Sequence, residues 1–120
     1  LEFVARFISV KKLPPARRLS GLEFDDAKRC YLDASKVTLP LEVRNRRPGD
    51  KYQPLGLRGE KKIKESLRER KIPQVERDVL PVFLSAGKIV WVPGLPISEE
   101  FKVTRSTDKI LLIEKQTSAN

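Results

Sequence analysis

The chain has 120 residues, 39% hydrophobic and 34% charged, which fits one globular domain with a modest core rather than a disordered segment. The 25 Lys and Arg against 16 Asp and Glu leave a formal charge of +9, pointing to a polyanionic partner, nucleic acid first and an anionic membrane surface second. Without His, and with the one cysteine Cys30, the usual general base, an internal disulfide and a thiolate metal site are all missing.

No apolar run approaches the ~20 residues of a transmembrane helix and no signal-peptide pattern opens the chain, so a soluble, cytoplasmic protein without a membrane partner is expected. No methionine occurs, and the chain reads as a fragment of something longer.

Residues Leu1 to Val10 alternate loosely, Phe3, Ala5 and Phe7 against Val4, Arg6 and Ile8, and suit a strand until Lys11-Lys12-Leu13-Pro14-Pro15 breaks it. Residues 1–28 are expected to be a linker or an N-terminal strand region. Asp25-Asp26-Ala27-Lys28 opens a short turn, and Cys30-Tyr31-Leu32 is a short strand with Cys30 as a packing residue. From Leu41 to Arg46 the alternation is strict, which places Leu41 and Val43 on the core face and Glu42, Arg44 and Arg46 on a solvent face.

Pro48-Gly49 is a type II turn signature, Pro fixing the first central φ and Gly taking the positive second one, with Arg47 and Asp50 as flanks. Glu60 to Lys71 has helical composition and must end by Pro73. Ile63 and Leu67 form its buried stripe. Lys61, Lys64, Arg68 and Lys71 form a basic stripe beside it, with Glu65 and Glu69 on the far side.

Leu80–Leu84 and Lys88–Val92 are apolar on both faces and joined through Ser85-Ala86-Gly87, which reads as a buried hairpin closed by Pro93-Gly94. Phe101 to Thr104 alternates as a further strand, and Ile110 to Ile113 is a final buried one. Residues 29–115 form the expected domain, followed by a polar tail, 116–120.

Three near-adjacent arginines on a rigid turn suit phosphate, because the planar guanidinium can donate two parallel hydrogen bonds and a stiff platform loses little entropy on binding. The candidate nucleic-acid contacts are Arg44, Arg46, Arg47, Lys51, Tyr52, Lys61, Lys64, Arg68 and Lys71, with Tyr52 as a stacking ring. The plainer alternatives are a solvated loop with Arg47 paired to Asp50 and a charged helix face that merely meets water. Trp91, Phe83 and Phe101 have apolar neighbours and belong to the core. No GxxxxGK[ST] loop and no paired acids in a pocket context are present; Asp25-Asp26 and Glu99-Glu100 read as turn caps, so no catalytic residue is assigned.

The ordered series Arg46-Arg47-Pro48-Gly49-Asp50, Gln53-Pro54-Leu55-Gly56, the lysine helix, Lys71-Ile72-Pro73, Arg77 to Pro81 and Ile89-Val90-Trp91-Val92-Pro93-Gly94 closely resembles the C-terminal domain of bacterial tRNA(Ile)-lysidine synthase, from about Tyr31 to Glu114. The resemblance implies an α+β fold, a sheet-rich core with one principal helix, similar to a domain of the phenylalanyl-tRNA synthetase β chain. It also implies a non-catalytic accessory module that engages tRNA near the acceptor stem. In that family an N-terminal domain with an SGGxDS-type phosphate loop uses ATP to adenylate the wobble cytidine of tRNA(Ile) and joins lysine to it. The implied partners are therefore tRNA and the N-terminal catalytic domain of the same polypeptide. ATP is the parent's cofactor, with none expected in this segment.

Because an A-form stem hides its base edges, phosphates, 2′-hydroxyls and the wider minor groove would dominate, and discrimination would come either from Asn45, Tyr52 or Gln53 at a groove edge or from exclusion of misfitting stems. An rRNA- or ribosome-binding module would share the charge. A protein-interaction or dimerisation domain would use apolar surface instead.

Overall fold

The computed structural model describes residues 3–12 and 27–116. Its strands are β1 (Phe3–Ser9), β2 (Arg29–Asp33), β3 (Glu42–Asn45), β4 (Lys51–Tyr52), β5 (Lys61–Lys62), β6 (Pro81–Ser85), β7 (Lys88–Trp91) and β8 (Lys109–Lys115), with short helices α1 (Ile63–Glu69) and α2 (Gln74–Arg77). They build a three-stranded sheet β1-β8-β2, a three-stranded sheet β3-β6-β7 and a two-stranded ladder β4-β5. This is the α+β architecture expected, with α1 as the principal helix.

In the first sheet β8 is central and antiparallel to both neighbours, running from Phe3↔Lys115 to Ser9↔Lys109 on one side and from Arg29↔Glu114 to Asp33↔Ile110 on the other. That position explains why Ile110 to Ile113 carries no polar residue and is buried throughout. In the second sheet β6 is central, and the β6–β7 hairpin turns through Ala86 (φ 49°) and Gly87 (φ 82°), the two positive dihedrals that a tight two-residue turn requires.

Two apolar clusters hold the layers together. One joins the sheets through Cys30, Leu32, Leu111 and Ile113 on one side and Phe83 and Trp91 on the other. Phe3 packs edge-on to Phe83 and Trp91, at centroid distances of 5.4 and 5.8 Å, while Phe83 and Trp91 stack at 5.5 Å. The Trp91 indole N–H donates to the Leu95 carbonyl at 3.1 Å, so this fully buried ring leaves no polar atom unsatisfied. The second cluster packs Val82, Leu84 and Ile89 of the other sheet face, with Val92 and Leu95, against Tyr52, Ile63 and Leu67. Each buried side chain of this size contributes about 1.5–3 kcal/mol, and the second cluster is what seats α1 and the β4–β5 ladder on the sheet.

The strands expected near Phe3, Cys30 and Ile110, the hairpin and the burial of Trp91, Phe83, Phe101 and Cys30 are all present. Other expectations are corrected. The helix begins at Ile63, because Lys61 and Lys62 are drawn into the ladder opposite Tyr52 and Lys51. Phe101 to Thr104 is not a strand. Glu99–Phe101 is a 3₁₀ turn capped by the Ser98 hydroxyl, and the Thr104 N–H donates to the Thr107 hydroxyl at 2.9 Å, so local side chains satisfy the backbone groups that a ladder would have used.

Glu99 and Glu100 are not the caps. Glu99 accepts the Gly56 N–H at 2.9 Å, and Glu100 pairs with Lys88 at 2.8 Å. The turn assigned to Asp25-Asp26 lies outside the described residues.

Candidate nucleic-acid interface

The arginine turn is built as its sequence demands. Gly49 has φ 87°, and the Asp50 N–H donates to the Arg47 carbonyl at 3.1 Å, closing a turn around Pro48-Gly49. The Asp50 carboxylate then ties the turn to β3: it accepts both terminal guanidinium nitrogens of Arg44, at 2.9 and 3.0 Å, and the Arg47 N–H at 2.7 Å. Burial would raise the Asp50 carboxyl, but these bonds and the neighbouring arginine charges outweigh it and hold the group below its ordinary range. The Asp50 carbonyl accepts the Ile63 N–H at 2.9 Å, and β4 and β5 pair Lys51 with Lys62 and Tyr52 with Lys61. The arginine turn and the start of α1 are thereby fixed to each other.

Strict alternation along β3 does not sort solvent from core here, because the β3-β6-β7 sheet is covered on both faces. Val43 stands opposite Phe83 but is 38% exposed at the sheet edge, whereas Arg44, opposite Val82, keeps only 16% of its side chain exposed. Arg46 is also turned inward, 3.6 Å from Asp78 and with its Nε buried. The expected solvent face shared by Arg44 and Arg46 is therefore a half-buried, paired one.

Arg47 differs from both: its side chain is exposed, and no hydrogen bond or ion pair holds its guanidinium among the described residues. The alternative in which the Arg47 side chain pairs with Asp50 is replaced by a backbone bond and by Arg44.

Tyr52 is corrected as a stacking ring. It is buried in the second cluster, 4% exposed, and its hydroxyl donates to the Pro96 carbonyl at 2.7 Å. Alternation within β4 points it inward while Lys51 faces out, paired with Glu60 at 3.4 Å.

The four-residue basic stripe is also broken. Lys61 lies in β5 and pairs with Glu69, and Lys71 lies past the helix end in a left-handed conformation, φ 57°. Lys64 and Arg68 remain, one turn apart on the same flank of α1, both exposed and neither in an ion pair among the described residues. Two further cations not singled out in the sequence, Lys62, opposite Lys51 in the ladder, and Arg58 in the connection between β4 and β5, are also exposed and without an ion pair among the described residues. The doubled Lys61-Lys62 was the available signal; with a strand period, one of the pair must face out.

The family described as TilS substrate C-terminal domain matches residues 41–113. The chain belongs to that family. Among curated relatives it is 44% identical over 84 residues to the tRNA(Ile)-lysidine synthase of Caldanaerobacter subterraneus subsp. tengcongensis, covering 70% of this chain and 18% of the relative. It is 34% identical over 100 residues to that of Symbiobacterium thermophilum, covering 83% of this chain and 20% of the relative. The chain thus spans about a fifth of the length of these relatives.

Among solved structures, a TilS C-terminal domain crystal structure superimposes with a TM-score of 0.75 at 33% identity, covering 98% of this chain and 85% of that one. An N-terminal fragment of the phenylalanyl-tRNA synthetase β-subunit from Pyrococcus horikoshii gives a TM-score of 0.60 at 20% identity, covering 71% of this chain and 27% of that one, and shares the fold. The arginine turn and α1 both lie within the matched residues 41–113.

Proposed function

We propose that this TilS C-terminal domain binds tRNA, holding the acceptor stem through Arg47, Lys62, Lys64 and Arg68. The observation that carries the reading is the junction at Asp50, which bonds the turn carrying the unpaired Arg47 to the start of α1, the helix that carries the unpaired Lys64 and Arg68, next to the ladder that carries Lys62. Such a surface meets the phosphates of an A-form helix without needing its base edges, which a deep major groove conceals.

The relatives named tRNA(Ile)-lysidine synthase support tRNA as the RNA in question. On this reading the ATP-dependent joining of lysine to the wobble cytidine takes place in another domain of the polypeptide, and these 120 residues supply affinity and tRNA selection.

The test is a titration of the chain with an acceptor-stem duplex across a range of salt, with an rRNA hairpin as competitor. Binding that falls steeply with salt and resists the rRNA competitor supports the reading; effective rRNA competition points to an rRNA-binding module. A protein-interaction role has one observation in its favour, the exposed Val75 and Val79 on and just after α2, 76% and 75% accessible. Self-association or protein binding that persists in high salt would favour it.

A further inference from the structure

Asp50 is an acid in the middle of a surface proposed to bind a polyanion, where a carboxylate should weaken binding. Its bonds suggest why it stands there. Its side chain holds Arg44 with paired bonds at 2.9 and 3.0 Å and the Arg47 N–H at 2.7 Å, while its carbonyl takes the Ile63 N–H at 2.9 Å. One residue thus connects β3, the Pro48-Gly49 turn and α1.

The Arg44 guanidinium is correspondingly occupied: both terminal nitrogens go to Asp50, and Nη1 also donates to the Asn45 carbonyl at 3.0 Å. With 16% of that side chain and 12% of the Asp50 side chain exposed, the pair presents little surface to a phosphate and carries no net charge.

We propose that Arg44 and Asp50 are a positioning pair, which fixes the backbone of the turn that carries Arg47 relative to α1, the helix that carries Lys64 and Arg68, rather than RNA contacts. The inference rests on the RNA-binding reading and assigns work within that site. It follows from the geometry of charge-assisted hydrogen bonds: paired bonds between a guanidinium and a carboxylate fix a plane as well as a distance, so the turn cannot rotate about its β3 attachment without breaking them.

A positioning role reverses the sign of the effect expected from charge alone. Asp50→Asn removes a negative charge, so if Asp50 were a bystander, RNA affinity should rise. If it positions Arg47, affinity should fall about tenfold, the equivalent of one charge-assisted contact. The experiment is a double-mutant cycle on acceptor-stem affinity with the 120-residue chain, comparing Asp50→Asn, Arg47→Ala and the double variant, each checked for its fold by circular dichroism.

The expected result is weaker binding in each single variant and no further loss in the double, because Asp50 acts through Arg47. Unchanged or tighter binding in Asp50→Asn, or losses that add in the double, overturns the proposal. Should Asp50→Asn fail to fold, Arg44→Lys keeps the charge, loses the paired geometry and enters the same cycle with the same expected and contrary results. Absence of RNA binding by the wild-type chain would remove the RNA-binding reading and this inference together, whereas additive losses in a chain that does bind remove the inference alone.

Discussion

Neutralising Lys64 and Arg68 together should separate free cations from paired ones. Both are exposed and make no ion pair among the described residues, so each can release one counterion on meeting a phosphate, whereas Lys61 is already engaged with Glu69. With a slope of about 0.7 to 0.9 per contact, Lys64→Gln with Arg68→Gln should lower the salt slope of RNA binding by about 1.4 to 1.8. Over a fourfold rise in salt, the ratio of wild-type to variant affinity should then shrink by roughly ninefold.

Lys61→Gln should leave the slope unchanged. It should cost less than about 1 kcal/mol of stability, since its partner Glu69 is 62% exposed and surface pairs contribute little. Fluorescence anisotropy on a labelled acceptor-stem duplex, repeated across salt concentrations, reads both effects. An unchanged slope in the double variant, or an equal drop in Lys61→Gln, would mean that overall charge rather than this flank governs binding.

Tyr52→Phe should lower unfolding free energy by about 1 kcal/mol through loss of the bond to the Pro96 carbonyl, and should leave RNA affinity unchanged; weaker binding would reinstate Tyr52 as a contact. Gly49→Ala, forced to keep φ near 87°, should cost about 1 kcal/mol of stability in chemical denaturation and weaken RNA binding as the Arg47 turn distorts.

Burial would raise the carboxyls of Asp33 and Asp50, yet hydrogen bonds from Ser35 and Thr107 in one case, and from Arg44 and the Arg47 N–H in the other, lower both below the ordinary 3.8. The unfolded chain therefore protonates first on acidification. The stability these groups supply is fully present above that value and is lost as pH falls through their lower folded values. Denaturant unfolding from neutral pH into acid should show this loss, and Asp50→Asn should remove part of it.

How much of this was legible in the sequence depended on whether neighbours or distant partners decided each feature. The Pro48-Gly49 turn, the 85–88 hairpin turn and the buried runs of β6, β7 and β8 are dictated within a few residues, and all appear. The site was harder to read because its charges are sorted by tertiary pairing. Nothing in an alternating Glu42 to Arg46 indicates that both sheet faces will be covered, so Arg44 and Arg46 read as solvent-facing. Nor does helical spacing at Lys61 show that β4 will claim it as a strand partner. The ordered motifs marked out a candidate region, while the division of its cations into free and engaged ones required the fold.

The central claim, that this domain holds the acceptor stem of tRNA, is tested most directly by hydroxyl-radical footprinting of the chain on whole tRNA(Ile). Protection of acceptor-stem riboses that disappears in the Lys64→Gln, Arg68→Gln variant is the expected result. Protection confined to the anticodon arm, or none at concentrations where the chain binds other RNA, would contradict it.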